Sequence, residues 1–421
     1  MNEFSVITSC RICQSKSLTS LLLLEPQYLT SSFVKTNENN PMSKIKIPLT
    51  LLLCDNCGLV QLKETTDPNL LFINYFFRTS KNHYIKENFQ QIIQILLKYV
   101  KITNDDFAID IGANNCEFIS MFPKFLKKIA IEPAKNISWE KTDSSITIIN
   151  DFFQIESILK ITKGKKAKII TATAMFYDFT DPNLAIKNIK SILDKDGICA
   201  IQVSYLLDTV RDLNPFDIVH EHLTYYSLKS LDFLMQKNDM SIIDASTNDV
   251  NGGSLLVFVT HKENSIPKSK NVESILSNEE KWKLDSPETF LPLKNNIKDI
   301  VKKTQKFLSD EINLGGNIIG FGASTKGNSI LQICGMNKSF LRYIAENNED
   351  KIGLCTLGTD FKIISENDAN DLKPSLLFVL PWNFKKEIIK NQQEFIKKDG
   401  KLLFIMPYLH FIDKNGENLI K

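Results

Sequence analysis

FAIDIGANNCEF, residues 107–118, opens on a five-residue run that is apolar except for Asp110 and then stops at Gly112. A run of that length bounded by a glycine predicts a buried strand leading into a turn. Upstream, Ile85, Phe89, Ile92, Ile93, Leu96 and Val100 recur at helical spacing. Downstream the alternation repeats, with KIAIEP (128–133), KIITATAM (168–175) and GICAIQVSY (197–205) separated by helical stretches. Strands joined through helices predict a parallel α/β sheet. Two more runs near 240–262, MSIIDAST and SLLVFVTHK, lie too close together for a crossover helix, so they are expected to pair antiparallel as an edge hairpin. The polar stretch KENSIPKSKNVESILSNEEK then reads as a linker into one or two helices. Beyond it NIIGFG (317–322), FLRYIAEN (340–347), LLFVLP (376–381) and KLLFIMP (401–407) predict a second, smaller α/β unit.

Glu132 closes the second strand of the central unit, 22 positions after Asp110. In a doubly wound sheet such strand ends face one crevice. Gly112 there lets a nucleotide approach the backbone, Asp110 sits near an amino or amino-acid group, and Glu132 accepts hydrogen bonds from ribose hydroxyls. Asn114 and Asp151 complete the cofactor-binding candidates. There is no GxGxxG, which favours a single adenosine-bearing cofactor over a dinucleotide, and S-adenosyl-L-methionine best suits a sheet that ends in an antiparallel hairpin. In the second unit, GFGASTKGN (320–328) is a glycine-rich turn after a strand, with Lys326 inside it. Such a turn presents amides and a cation to phosphates. The lysine precedes Gly327, so the Walker pattern is absent and a phosphate-bearing ligand is expected without NTP hydrolysis. Gly322, Lys326 and Asn328 are its substrate-binding candidates. Trp382 either stacks on a base or plugs the C-terminal core.

Four of the eight cysteines are paired as Cys10-Arg-Ile-Cys13 and Cys54-Asp-Asn-Cys57. Two CxxC knuckles offer the four thiolates of a closed tetrahedral zinc site, with no position left for water, so a structural Zn2+ is expected. It would staple residues 1–70, too short a segment to rely on a large core. Cys116, Cys199, Cys334 and Cys355 are scattered singly, as reduced structural thiols are. The 421 residues are 43% hydrophobic, enough for several cored units, read as 1–70, 71–265 and 266–421. Lys and Arg (51) nearly balance Asp and Glu (49) without a basic block, which argues against a nucleic-acid binder. No apolar run approaches the ~20 residues that span a bilayer, and a soluble, cytoplasmic monomer or weak homodimer is expected.

FDIVHEHLTYYS (216–227) holds two of the five histidines around a glutamate. As a metal site it is poor: an extended segment gives two ring nitrogens, Glu221 would point away, and no third ligand is evident. A base and a structural loop remain open, since histidine suits proton abstraction near neutral pH.

Taken in order, the cysteine knuckles with CGLVQL after them, DIGANNCEF, IEP, HEHLTYYS, NGGSLLVFV, GFGASTKGN and LPWNF (380–384) run nearly the whole chain. In these motifs the sequence resembles the three-domain sugar C-methyltransferases, which methylate a carbon beside the ketone of a nucleotide-linked 4-keto deoxysugar. The resemblance implies a zinc-binding N-terminal domain, a central Rossmann-like class I methyltransferase domain and a smaller C-terminal α/β domain that helps hold the nucleotide sugar. It implies His222 as base with Glu221 beside it and a lesser part for His220, while the phenol of Tyr225 in the same motif is a candidate donor. The sequence departs from the family pattern at several places. Cys116 stands where a glycine is usual, Asn115 for aspartate, and Val219 for tyrosine. Tyr177 or Asp178 replaces a histidine, and Phe77 replaces a tyrosine, leaving Tyr75 as the nearby phenol. Asp178 would donate a proton at neutral pH if burial raised its pKa. Two other readings are an O- or N-methyltransferase on a sugar-like acceptor and a zinc-ribbon interaction protein with degenerate α/β domains.

Overall fold

The computed structural model describes residues 3–79, 83–139 and 142–420. Its central sheet has seven strands: β1 (Phe107–Ile111), β2 (Lys127–Ile131), β3 (Ile146–Ile149), β4 (Ala167–Thr173), β5 (Leu193–Ser204), β6 (Met240–Asn248) and β7 (Ser254–His261). They lie in the order 3-2-1-4-5-7-6, with β7 antiparallel to both neighbours. The expected hairpin is present, but its second arm inserts beside β5 and leaves β6 at the edge. Burial explains the choice. Nearly every residue of β7 is buried, whereas β6 alternates buried and half-exposed positions and tolerates an open side. Strand β3, ITII, was not among the expected strands; its four residues are too short a run to stand out.

Residues alternate across the central strands, so Ala108, Ala130 and Ile169 pack with Ile85, Phe89, Ile92 and Leu96 of the helix His83–Tyr99. Ile109, Ile111 and Ile131 face the other way, into a core shared with the helix Pro182–Ile192. The register sets Asp110 between Ala130 of β2 and Thr171 of β4, at the carboxyl ends of the parallel strands. Helix Lys270–Trp282, expected as part of a linker, packs on the central unit: its Val272 joins the central core, and Glu279 accepts from the amides of Leu228 and Lys229.

The two flanking units each take part in a sheet with chain from elsewhere. In the N-terminal unit, strands Leu18–Gln27, Ile47–Cys54 and Val60–Leu62 are extended by Thr224–Tyr225, which sets Tyr225 opposite Val60. In the C-terminal unit, a nine-stranded sheet has Ile318–Phe321 parallel to both neighbours, Leu376–Val379 and Tyr343–Glu346. Its far edge is Phe33–Val34, supplied by the N-terminal unit. Among the described residues no helix is long and apolar enough to cross a membrane.

Candidate active site

The cysteine knuckles close as the spacing predicts. The amide of Gln14 donates to Cys10 O and that of Gly58 to Cys54 O, each turn ending on a residue of positive φ, +64° and +72°. Sγ atoms of Cys10 and Cys57 lie 3.6 Å apart, those of Cys13 and Cys54 lie 3.4 Å apart, and all four fall within 4.8 Å of one another. Zinc bonds of ~2.3 Å in a tetrahedron separate sulfurs by roughly 3.8 Å, so the cluster fits Zn2+ and leaves no open position. The knuckle also grips the central unit. Arg11 donates to Thr180 O, and Asn183 Nδ2 donates to the carbonyls of Arg11 and Ile12.

At the carboxyl ends of β1, β2 and β4 the chain encloses a cavity of about 380 Å3, within the usual range for a small-molecule site. Gly112 forms its floor: with φ +71°, a Cβ there would lie 2.7 Å from Met175 Cγ, so only glycine fits. Glu132 accepts from the amide of Asn114 on one oxygen (2.8 Å) and from that of Ala134 on the other (2.9 Å). Its carboxylate thus shapes the loop first and keeps one lone pair on each oxygen for a ligand. Burial raises its pKa against those two bonds. Asp110 is buried, accepts a 2.6 Å bond from Thr171, and is pushed up to about 7 by desolvation. Asn114 Nδ2 donates to Phe77 O while its Oδ1 accepts from Thr79, which draws residues 75–79 over the loop. Tyr75 lines the cavity, and burial raises its phenol further above the ordinary range. Cys116 adopts the left-handed conformation expected of the glycine it replaces, φ +62°, but its thiol is buried in the core beside Phe118, outside the cavity lining. Asp151 is exposed at the rim, outside the cavity lining, and accepts from the amide of Phe152, which lines the cavity with Phe153.

The opposite wall comes from the histidine motif, and it is not extended. His222 N donates to Val219 O, closing a turn that sets Glu221 and His222 on the same wall and sends His220 away. The expectation that the glutamate points away from its neighbours is therefore overturned by this turn. His222 packs against Tyr177, ring centroids 4.0 Å apart. Burial, with the charge of Lys326 second, pushes its pKa down to about 3, so the imidazole is neutral rather than poised near neutral pH. Asp178 is half-buried, its Oδ1 is enclosed with no partner among the described residues, and desolvation reinforced by Glu221 raises its pKa well above the ordinary value. Glu221 accepts from Thr30 of the N-terminal unit at 3.4 Å. His220 lies outside the cavity lining, its Nε2 3.2 Å from Ile47 O. Tyr225 is likewise outside: its hydroxyl accepts from Val219 N and donates to Asp217 O, so it braces the turn.

The C-terminal unit adds Ser324, Thr325, Lys326, Asn383 and Phe384 to the lining. Of the four substrate-binding candidates only Lys326 reaches it. Gly322 (φ +82°) is a packing glycine, since a Cβ would lie 2.5 Å from Pro381. Asn328 is buried and donates to Thr30 O at 2.6 Å. Trp382 stacks on no open face; it packs over Gly252, where a Cβ would come within 2.5 Å of the ring. Sequence reasoning missed Asn88 and Gln202, which line the cavity and exchange amide hydrogen bonds at 2.9 and 3.3 Å. A signal existed: Asn88 falls three residues after Ile85, on the apolar face of its helix.

Three family models divide the chain between them: "Putative zinc binding domain" matches residues 10–72, "Methyltransferase domain" 82–245 and "C-methyltransferase C-terminal domain" 249–407. The C-methyltransferase NovU of Streptomyces niveus is 24% identical over 404 residues, 95% of this chain and 96% of its own length. Among solved structures, an S-adenosylmethionine-dependent methyltransferase from Clostridium acetobutylicum is 13% identical at a TM-score of 0.34, covering 43% of this chain and 93% of its own. Magnesium protoporphyrin IX methyltransferase from Synechocystis, solved with bound SAH, is 11% identical at a TM-score of 0.32, covering 43% and 88%. The crevice at the ends of β1 and β2, the four-sulfur cluster and the domain matches meet in one conclusion: the chain is an S-adenosylmethionine-dependent methyltransferase with a zinc-binding N-terminal unit.

Proposed function

We propose that the enzyme methylates a carbon next to the ketone of a nucleotide-linked keto-deoxysugar, with His222 as the base. The observation that carries this reading is the shared cavity, which joins the Gly112–Glu132 crevice, the His222–Asp178 wall and the Ser324–Lys326 turn of the C-terminal unit. Matches to a C-methyltransferase C-terminal domain and to NovU support carbon as the acceptor.

When bound, S-adenosylmethionine supplies an electrophilic methyl group and departs as S-adenosylhomocysteine. Asp110, Gly112, Asn114 and Glu132 would hold it. His222, half-buried and held neutral by desolvation, takes the proton from the substrate carbon, and the carbon's electron pair then forms the new C–C bond. A pKa near 3 makes a weak base, and an anionic substrate close to the ring strengthens it by stabilising the imidazolium. Asp178, whose pKa desolvation raises so that its carboxyl holds a proton more readily than an exposed one, and the Tyr75 hydroxyl donate to the oxygen that becomes negative. Glu221 and Tyr225 hold the turn, and His220 docks it to Ile47. The amides opening the helix Thr325–Ile333, with Asn383, suit the sugar's phosphates.

Solvent exchange tests this reading. Incubating candidate nucleotide keto sugars with enzyme and S-adenosylhomocysteine in D2O should wash deuterium into the carbon beside the ketone. Methyl transfer without exchange would instead support O- or N-methylation.

Asp110 gives a pH signature. Its buried carboxyl, near 7, is mostly protonated at pH 6 and ionised at pH 8. Because the ionised form attracts the cationic cofactor, calorimetric affinity for S-adenosylmethionine should rise about tenfold from pH 6 to 8, and Asp110→Asn should flatten the slope. In the cofactor-free protein the sign is opposite for stability. The folded state binds the extra proton between about pH 4 and 7, so this group's contribution falls as pH rises through that window.

A further inference from the structure

Among the described residues Lys326 is the one cationic side chain that lines the cavity, and its ammonium is already engaged. Nζ lies 2.6 Å from Asp217 Oδ1, donates to Asn251 O, and sits 5.4 Å from the Trp382 ring centroid. The pair is nearly closed to water, with side-chain exposures of 15% and 5%. Asp217 stands at the base of the His222 turn and receives the Tyr225 hydroxyl on its carbonyl, so an anchor at Asp217 is an anchor for the whole turn.

Resting on the reading of His222 as base, we infer that Lys326 is a positioning residue of the C-terminal unit that acts through Asp217 to fix the His222 turn, and is not a phosphate ligand. A phosphate would have to displace a buried carboxylate, and an uncompensated Asp217 would remain. The titratable groups around the imidazole are Tyr177 and Asp178 from the turn before it, Asp217 and Glu221 from its own loop, Tyr225 behind it, Tyr75 across the cavity and Lys326. Lys326 alone among these is a cation, and its charge works in the same direction as burial to keep the ring neutral. Docking of the C-terminal unit therefore sets where the base points, and its cation adds to burial in keeping the ring neutral.

The test uses the full zinc-loaded chain with 13C-labelled histidine, whose spectrum carries five histidines, and a His222→Asn variant to assign the signal. In the wild type the His222 signal should not move between pH 5 and 8. In Lys326→Met, and in the Asp217→Asn/Lys326→Met double variant that leaves no orphaned carboxylate, it should shift at pH 8 and begin to titrate at least about one unit higher. Lys326→Arg should restore the wild-type position. Pyrophosphate affinity, read by calorimetry, should change less than twofold in the double variant. An unmoved His222 signal in both methionine variants overturns the inference, and so does a tenfold or larger loss of pyrophosphate binding. If the signal moves but His222→Asn still catalyses exchange, the positioning role stands and the assignment of the base falls.

Discussion

His222→Asn is expected to bind S-adenosylmethionine within about twofold of the wild type while methyl transfer falls by about 10³-fold, inside the 10²–10⁴ range for loss of a positioned acid–base group. Asparagine retains a polar side chain of similar reach, so packing against Tyr177 is the smaller loss. The cofactor crevice is built by the ends of β1 and β2, not by this turn, so binding and turnover separate. Rates with and without the variant, alongside calorimetry, check the split. Retention of more than a tenth of the rate would move the base to another group on the same wall.

Removing zinc is expected to have the larger structural effect. Closed four-thiolate sites contribute about 10–16 kcal/mol in small zinc modules, comparable with the ~5–15 kcal/mol that holds a whole domain. Chelation, or Cys54→Ser, should therefore unfold the N-terminal sheet. It should also loosen residues 217–226, because Thr224–Tyr225 is a strand of that sheet and His220 meets Ile47. Hydrogen exchange reads both regions in one experiment. Protection at 217–226 that survives loss of the metal would mean that the turn is held by the central unit alone.

Local motifs were readable from sequence, and long-range packing was not. Asp110, Gly112 and Glu132 stand at strand ends, where the chain must turn, so position along the sequence gives position in the crevice. The cysteine knuckles are similarly local. Asn328 fails for a helical reason: two residues beyond Lys326 it lies about 200° around the axis and faces the N-terminal unit. His220 fails because the motif is a turn, which no spacing rule distinguishes from a strand. Trp382 and Gly322 are spent on close packing against Gly252 and Pro381, contacts made between residues far apart in the chain or across a tight turn of the fold. The insertion of β7 between β5 and β6 follows from its burial on both sides, a property its apolar run carries without saying which neighbours cover it.

The two borrowed strands bear on how this polypeptide can be made and cut. Phe33–Val34 covers the rim of a sheet whose other strands begin at Ile318, and it pairs there with Cys355–Thr356, so that rim has no cover until two pieces more than 300 residues apart meet. The N-terminal sheet, in turn, lacks its last strand until the ribosome has passed Tyr225. During synthesis the early segments are therefore unfinished surfaces, and unpaired strand edges are where nascent chains adhere to one another. Severing the chain at residue 70 or 265 would give fragments that each lose a strand or the partner that covers one, and their solubility would measure how much of the enzyme's integrity resides in those few borrowed residues.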